Sequence, residues 1–430
     1  MKTIQPRTLK GFRDFLPEDM AIRQQVIGIF REVFESYGYE PLETPTLEHA
    51  DILLGKYGEE AEQLIYQFED RGGRKVAMKY DLTVPTCRVV AQYGDKIPLP
   101  FKRYQIQPVW RADNTQKGRF REFYQCDADT IGSPSMLADA EFILMGLQIM
   151  KKLGFVDFAA RINNRKFMDG LVQYAGATQD QFYVICIAVD KMEKIGLSGV
   201  IKEMEQKKVS TEVIKKISEI IELKGTNTEL IAILKEKMKA IPIALEGLKE
   251  LEELFLYLQK GNAPQQQYIF DLSIIRGLSY YTGPVWEFSV QDGGVGSVAG
   301  CGRYDKLVGL YLGRDIPATG GSFGIERLFE VIKDRKLLGS TKKDTILVTI
   351  FSPDLAAHSF SVAEKLRRGG KQVVLYPDEH VKLEKQLKYA NKKGYESVCI
   401  IGPEEMEKNQ IKMKNMKTGE QKTIEITNFK

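Results

Sequence analysis

The stretch FREFYQCDADTIG, residues 120–132, decides how the first part of this sequence is interpreted. Together with FKRYQIQPVW at 101–110, it predicts two strands joined by a polar loop at about 112–117. Successive side chains of a strand point to opposite faces, so every second residue shares one face. That face carries a guanidinium, an aromatic ring, an amide and two carboxylates: Arg121, Phe123, Gln125, Asp127 and Asp129.

Such a face suits a charged ligand that forms many hydrogen bonds. An arginine can hold a phosphate through two parallel hydrogen bonds, and an aromatic ring beside it can stack on a base. Arg111 follows the partner strand and would lie close by. The simpler interpretation is a solvated face whose charges pair across the strands, and this strand alone does not exclude it.

The composition narrows the class of protein. A chain of 430 residues predicts about two or three domains. With 43% hydrophobic and 28% charged residues, it is typical of a globular protein. It has no apolar run of the ~18 residues that a membrane span needs, and its N-terminus lacks the apolar core of a secretory signal. We therefore expect a cytoplasmic protein without a membrane partner.

Cysteine and histidine usage argues against a structural metal site. The five cysteines are dispersed, which predicts reduced thiols. Only three histidines are present, and none has the spacing of a zinc site. We therefore expect no metal held by protein ligands alone.

The composition along the chain indicates two domains, an insertion within the first and a linker between them. Residues 1–332 are interpreted as one domain, interrupted at 175–262 by an insertion of Lys/Glu-rich helices. Residues 333–343 form a charged linker. In residues 344–430, short apolar β runs alternate with helical segments at 354–368 and 381–393, which predicts a small parallel sheet. Residues 341–430 carry 17 lysines and arginines against 12 aspartates and glutamates, which is compatible with phosphate contacts but also with an ordinary solvated surface.

Other segments carry polar or glycine-rich patterns. Asp81 and Thr83 precede a predicted helix, where Thr83 could instead be an N-cap. Glycines flank an arginine in GCGRYDKLVG (300–309) and in GGSFGIERL (320–328), as a nucleotide held close to the backbone would require.

The segment RGLSYYTGPVWEF, residues 276–288, is predicted to be a strand. Alternation would then turn Tyr281 towards a pocket and Tyr280 towards the packing side. Arg276 and Tyr281 have opposite parity, so for both to reach one site Gly277 would have to allow a bend.

Together these segments resemble the class II aminoacyl-tRNA synthetases, and specifically the histidyl-tRNA synthetase family. FREFYQCDAD and GGSFGIERL resemble two class-wide motifs, while RGLSYYTGPVWEF and GCGRYDKLVG are specific to the histidine family. The opening KGFRDFLP and the segment GYEPLETPTLE, a dimer strand in the family, also match. The implied fold class is α+β, with an antiparallel-sheet catalytic domain carrying a helical insertion, and a C-terminal α/β anticodon-binding domain.

The resemblance also implies roles for individual residues. The expected ATP-binding residues are Arg111, Arg121, Phe123 and Arg327. The expected histidine-binding residues are Asp81, Thr83, Gln125, Asp129, Arg276, Tyr280 and Tyr281, of which Asp129 and Tyr281 would read the imidazole. Arg276 and Arg111 would be catalytic.

The implied reaction joins histidine to its tRNA. ATP activates histidine as the adenylate with release of pyrophosphate, Mg²⁺ assists, and the histidyl group passes to the 3′ end of tRNA(His). The loop 114–119 would meet the acceptor end, the C-terminal domain would meet the anticodon, and the enzyme would be a homodimer.

Three alternatives compete with this interpretation. A non-catalytic relative serves as the regulatory subunit of ATP phosphoribosyltransferase in histidine biosynthesis, but it generally lacks the anticodon domain and relaxes the catalytic arginines. A synthetase for another amino acid would not be expected to carry GLSYYTG. An RNA-binding or signalling module could use the same fold without catalysis.

Overall fold

The computed structural model describes residues 4–56, 62–274, 280–339 and 345–426. Arg276 and Gly277, and with them the predicted bend, lie outside the described residues. Contacts between Cα atoms divide the chain into two compact units, residues 1–339 and residues 340–430.

The first unit combines two sheets with many helices. Its strands are β1 (Glu40–Pro41), β2 (Leu47–His49), β3 (Gln67–Glu69), β4 (Lys75–Met78), β5 (Phe101–Trp110), β6 (Glu122–Ile131), β7 (Phe158–Asn164), β8 (Tyr268–Phe270), β9 (Pro284–Val290), β10 (Ala299–Arg303) and β11 (Ala318–Gly324). Its helices are α1 (Pro17–Ser36), α2 (Ala50–Leu53), α3 (Thr83–Tyr93), α4 (Met136–Lys152), α5 (Arg165–Ala175), α6 (Gln179–Asp190), α7 (Met192–Gln206), α8 (Thr211–Ile221), α9 (Asn227–Lys237), α10 (Pro242–Lys260), α11 (Gly309–Leu312) and α12 (Ile325–Arg335).

The large sheet has eight strands in the order β1-β5-β6-β11-β10-β9-β7-β8. All neighbours are antiparallel except the pairs β1–β5 and β7–β8. The predicted pair of strands is confirmed, because β5 and β6 pair over their full length. The proline-containing β1 lies at the sheet edge, where the missing N–H of Pro41 interrupts no central ladder.

One face of this sheet is the apolar core. Cys126 and Ala128 of β6 are fully buried there against Phe30 of α1 and Phe142 of α4. Proline in the first turn and the acidic residues after it suit the N-terminus of α1, whose stripe Val26, Phe30 and Val33 faces the core. The opposite face of β6 is therefore free to carry its polar residues.

The predicted helical insertion is present as helices α6 to α10. Its apolar residues, such as Ile217 and Leu251, belong to the same buried cluster as Phe30, so they extend the main core rather than form a separate one. Close packing requires glycine where α5 meets α10, since a Cβ on Gly170 would lie 2.5 Å from the Cβ of Ala244.

The second unit is a five-stranded sheet in the order β13-β12-β14-β15-β16. Its strands are β12 (Ile346–Val348), β13 (Val373–Leu375), β14 (Ser397–Ile400), β15 (Gln410–Asn415) and β16 (Gln421–Glu425), and its helices are α13 (Ala356–Arg368), α14 (Leu383–Lys393) and α15 (Pro403–Glu407). The prediction of a parallel sheet holds for β12 to β14. It missed the antiparallel hairpin β15–β16, in which β15 is half-buried and β16 mostly exposed, so no continuous apolar run marks either strand.

The end of helix α12 differs from the prediction. Helix α12 continues to Arg335, so residues 333–335, which we expected in the linker, are helical. All five cysteines are free thiols and buried. Among the described residues, no helix is long and apolar enough to cross a membrane.

Candidate active site

A pocket of about 400 Å³ opens on the polar face of β6. Its lining includes nine of the residues that the sequence predicted for the site: Asp81, Thr83, Arg111, Phe123, Gln125, Asp129, Tyr280, Tyr281 and Arg327. These residues come from β6, the segment before α3, the end of β5, the segment before β9 and the start of α12. The pocket therefore assembles five separate parts of the sequence around one space.

The alternation predicted for β6 is confirmed. Phe123, Gln125 and Asp129 line the pocket, while Cys126 and Ala128 lie in the apolar core. Arg121 precedes the strand and lies outside the described lining, with its Nε donating to the carbonyl of Asp113 at 3.1 Å.

The face is not solvated, contrary to the simpler interpretation. Asp127 and Asp129 are each only 1% exposed. A cross-strand ion pair does form, but it is buried: Arg103 of β5 pairs with Asp129, which is its register partner on β6. The hydroxyl of Tyr304 also donates to Asp129. The expected imidazole-reading carboxylate is thus held in place by two buried side chains.

Burial dominates the electrostatics beneath the pocket. It raises the pKa of Asp129, which the nearby Arg103 guanidinium only partly offsets. Burial also raises the pKa of Asp127 to about 8. The Arg103 guanidinium lowers this pKa, but the neighbouring Asp129 carboxylate raises it. Burial lowers the pKa of Lys79 to about 8, and its Nζ donates to the carbonyl of Thr44 at 3.0 Å. Asp127 and Lys79 are therefore two buried groups whose pKa values are both shifted to about 8.

Asp81 accepts a hydrogen bond from the first turn of helix α3, whose N-cap position is Leu82. The helix begins at Thr83, and the backbone N–H of Val84 donates to Oδ1 of Asp81 at 3.1 Å. The alternative role considered for Thr83, N-capping, is therefore wrong, because Thr83 is the first residue of the helix. Both side chains remain in the pocket lining.

The two adjacent tyrosines both reach the pocket. Tyr280 packs against apolar residues, as predicted, and lines the pocket as well; β9 begins only at Pro284, so both tyrosines precede the strand. Their ring centroids lie 4.8 Å apart, and the Tyr280 ring lies 6.1 Å from that of Tyr304. Gly302 makes room for them: at its φ of +159° a Cβ would lie 2.7 Å from the Tyr281 ring.

Arg111 and Phe123 lie side by side in the pocket lining. The Arg111 guanidinium is 5.2 Å from the Phe123 ring centroid and 4.1 Å from that of Tyr80. Its Nε donates to the carbonyl of Tyr80 at 3.0 Å. Arg327, on α12, donates to the carbonyl of Ser297. The site thus combines cations and an aromatic ring with carboxylates and tyrosines in one pocket.

Sequence reasoning did not propose several lining residues. They include Asp113, Arg119, Phe120, Asp190, Tyr304 and Glu326. Arg119 belongs to the loop 114–119, which was expected to contact the tRNA, and Phe120 follows it directly. The β5–β6 register could have indicated Arg103, which pairs with Asp129 beneath the pocket. Asp190 ends helix α6 of the insertion, and no pattern in the sequence marks it.

The described carboxylates that line the pocket do not form a cluster that could hold a metal ion. No group of three His, Cys, Asp or Glu side chains that could hold a metal ion occurs in the described part of the chain. Glu326 is engaged with Arg23 and with the N–H of Tyr124. Asp113 and Asp190 are the other lining carboxylates beyond the predicted ones.

Comparison with known families shows the family to which the chain belongs. The family model described as histidyl-tRNA synthetase matches residues 11–328, and a model described as anticodon binding domain matches residues 345–430. The chain belongs to the histidyl-tRNA synthetase family. The predicted fold class is confirmed with it, since the family's catalytic sheet is the antiparallel-rich sheet of the first unit.

Individual members of the histidyl-tRNA synthetase family match nearly end to end. A histidine–tRNA ligase of Cytophaga hutchinsonii is 38% identical over 97% of both chains. The crystal structure of the histidyl-tRNA synthetase from Nostoc sp. PCC 7120 has a TM-score of 0.85 at 30% identity and covers 98% of this chain and 97% of that chain. A Bacillus halodurans structure titled an ATP phosphoribosyltransferase regulatory subunit/histidyl-tRNA synthetase has a TM-score of 0.78 at 24% identity, with coverages of 93% and 100%, and that likeness shows the fold alone.

Proposed function

We propose that this chain is a histidine–tRNA ligase. It activates L-histidine with ATP to histidyl-adenylate, releases pyrophosphate, and transfers the histidyl group to the 3′ end of tRNA(His). One observation carries the proposal: a single pocket joins arginines and an aromatic ring to buried carboxylates and tyrosines. The first set suits a nucleotide, and the second suits an amino acid with a cationic ammonium and a ring that forms hydrogen bonds.

ATP occupies the end of the pocket that holds Arg111 and Phe123. The adenine stacks on Phe123, and Arg111, Arg121 and Arg327 bind phosphate oxygens. Of these three arginines, Arg111 and Arg327 line the pocket and Arg121 does not, so the Arg121 side chain has the longest way to a bound phosphate. Positioning and charge neutralisation are the main requirements of phosphoryl chemistry.

Histidine occupies the opposite end. Asp81, Thr83 and Gln125 bind the α-ammonium group and its surroundings, while Asp129 and Tyr281 bind the imidazole with Tyr280 beside them. Asp129 suits this role because Arg103 and Tyr304 hold it in one orientation. A buried site built to hydrogen-bond a ring discriminates strongly against analogues that lack the matching groups.

Arg276 lies beside the reacting centre in this proposal. The carboxylate of histidine attacks the α-phosphorus of ATP, the bond to the β-phosphate oxygen breaks, and pyrophosphate leaves. Arg276 and Arg111 offset the repulsion between the two anions and stabilise the charge that develops at phosphorus. The 3′-terminal ribose hydroxyl of the tRNA then attacks the acyl carbon and displaces AMP.

Mg²⁺ enters with the phosphates of ATP. The pocket fits such an ion, because Mg²⁺ usually keeps several waters and takes only one or two carboxylates besides phosphate oxygens. Asp113 and Asp190 are the lining carboxylates that could add a ligand. When bound, the ion neutralises phosphate charge.

The partners follow the same family plan. The catalytic domain (1–332, with the insertion at 175–262) contacts the acceptor end through loop 114–119, and the domain at 344–430 reads the anticodon. The basic surplus of residues 341–430 supplies salt-dependent affinity for RNA. The enzyme works as a homodimer in the cytoplasm. The apolar side chains of Leu47, Phe68 and Tyr93 in the first unit are 43%, 49% and 43% exposed, and buried free thiols suit a reducing compartment.

Histidine-dependent exchange of pyrophosphate into ATP tests the proposal. We expect exchange with histidine and none without an amino acid or with glutamine or phenylalanine. Exchange that ignores histidine, or requires another amino acid, would contradict the function. Absence of exchange despite intact ATP binding would instead favour the regulatory relative.

A further inference from the structure

The segment Gly11–Phe15 lies against the loop that leads into β6. The carbonyl of Gly11 accepts a hydrogen bond from the backbone N–H of Arg121 at 2.9 Å. A Cβ on Gly11 would lie 2.7 Å from Cγ of Arg121 and 2.9 Å from Cγ2 of Thr115. The loop therefore packs directly onto the bare backbone of Gly11, at a place where a larger residue would displace it.

Arg13 makes the second contact of this segment. Its guanidinium lies 3.2 Å from the ring centroid of Phe120, and its Nη1 lies 3.4 Å from Oε1 of Glu330. Phe120 lines the pocket, and Glu330 lies on helix α12, one turn after Arg327. Arg13 thus connects the loop with the helix that carries the third proposed ATP arginine.

Phe15 anchors the end of the segment. Its ring meets that of Phe329 edge-on with centroids 6.1 Å apart, and the Arg23 guanidinium lies 4.3 Å from its centroid. Arg23 in turn forms a buried ion pair with Glu326. The segment is therefore fixed on α1 and α12 at one end and touches the loop at the other.

We propose that Gly11, Arg13 and Phe15 are positioning residues for ATP. They hold the loop Ala112–Arg121 in the geometry in which Arg121 meets the phosphates and Phe120 lines the pocket. The inference rests on the proposed function, in which Arg121 binds ATP. Gly11, Arg13 and Phe15 do not line the pocket, yet in this inference they set the affinity for ATP and leave the affinity for histidine unchanged.

Geometry favours positioning over a purely structural role. The contacts of Gly11 are with the side chain of Arg121 and with the loop, not with the apolar core. A displacement of about 1 Å in a group that positions a substrate can cost on the order of a hundredfold in rate. A small push at Gly11 should therefore be visible in ATP binding before it affects the fold.

The test compares two glycines that have similar backbones and different surroundings. Gly11 has φ +87° and Gly38 has φ +75°, but no described atom lies within 4 Å of a Cβ on Gly38. Gly11→Ala and Gly38→Ala therefore impose similar backbone strain, and only the first pushes on Arg121. The dissociation constant of ATP is measured by calorimetry on the full-length protein, and the KM values of ATP and histidine are measured by pyrophosphate exchange.

We expect Gly11→Ala to raise the dissociation constant and the KM of ATP about tenfold or more, on the scale that such displacements produce, with the KM of histidine within about twofold. Gly38→Ala should leave both unchanged. Equal effects of the two variants, or an equal rise in both KM values, would overturn the inference. The calorimetric result stands even if the wild-type protein shows no histidine-dependent exchange, so the two proposals fail separately.

Arg13 gives a second variant in case Gly11→Ala folds poorly. Arg13→Ala should weaken ATP binding, and Arg13→Lys should restore part of it, because lysine keeps the charge near Glu330 but lacks the planar group that covers Phe120. An Arg13→Ala protein that binds ATP like the wild type would contradict the role assigned to the segment.

Discussion

Arg103 and Asp129 form an ion pair that is closed to solvent, with side-chain exposures of 0% and 2%. They are register partners on β5 and β6, and Asp129 also lines the pocket. Arg103 further donates to Oε1 of Gln105 at 3.0 Å. One guanidinium thus orients a carboxylate of the site from beneath while its own charge is compensated.

Replacing Arg103 by methionine should destabilise the first unit strongly. Removing one partner of a buried ion pair leaves an uncompensated charge and typically costs about 3–5 kcal/mol. The free energy of unfolding, measured in urea, should fall by that order. The control is Arg74→Ala, which removes a pair whose arginine is 68% exposed and should cost less than about 1 kcal/mol. Similar losses in the two variants would contradict the importance of burial.

The Asp127→Asn variant should become increasingly more stable than the wild type as pH rises. The folded-state pKa of Asp127 is raised to about 8, chiefly by burial, against about 3.9 when unfolded. The wild type therefore has its full stability below the unfolded pKa and loses this contribution as pH rises towards 8. Asparagine does not titrate, so the difference in unfolding free energy should grow by up to about 1.4 kcal/mol per pH unit up to pH ~8 and then level off.

The groups that face Asp127 enter the same measurement. Arg103 lowers the pKa of Asp127, whereas Asp129 and Asp81 raise it. The charge of Asp127 in turn raises the pKa of Lys79, so the measured difference belongs to this pair rather than to Asp127 alone. A difference that stays constant from pH ~5 to ~8 would mean that Asp127 is ionised throughout.

Arg276→Ala should abolish adenylate formation and leave tRNA binding nearly unchanged. The proposed role of Arg276 is to offset charge at the reacting phosphorus, and loss of such a group typically costs at least about 10²-fold in rate. Pyrophosphate exchange measures the first effect and filter binding of tRNA the second. Loss of tRNA affinity with exchange intact would mean that Arg276 contacts the RNA.

Phe123→Ala should weaken ATP binding selectively. Stacking of a base on an aromatic ring is worth about 1–3 kcal/mol, so the dissociation constant should rise about 5- to 150-fold. The matched control is Phe123→Tyr, which keeps the ring and should remain close to the wild type. A similar loss in both variants, or a larger effect on histidine than on ATP, would place the adenine elsewhere.

Alternation within one strand was the part of the site that the sequence predicted most directly. Period two in β6 separated Gln125 and Asp129 from Cys126 and Ala128, and the structure places them on opposite faces. The same rule did not separate Tyr280 from Tyr281, which both line the pocket, because it was applied to residues that precede β9. Periodicity predicts a face only where the backbone is extended, and the strand's start was not visible in the residues.

The sequence did not predict the contacts between distant segments of the chain. The ion pair of Arg103 with Asp129 depends on the register of two strands, and the place of Asp190 depends on how the insertion folds back. The packing of Gly11 on Arg121 joins residues more than a hundred positions apart. Such contacts are set by tertiary packing, which leaves no local pattern.

The buried thiols make this protein convenient for labelling. Burial raises the pKa of the Cys186 and Cys399 thiols to about 12, and only thiolates react readily with alkylating dyes. All five native cysteines are covered, so they need not be removed. A cysteine introduced at Val156, 87% exposed in the first unit, and another at Phe360, 56% exposed in the second, would be the reactive pair. Fluorescence transfer between them would then follow the separation of the two units through each step of the reaction.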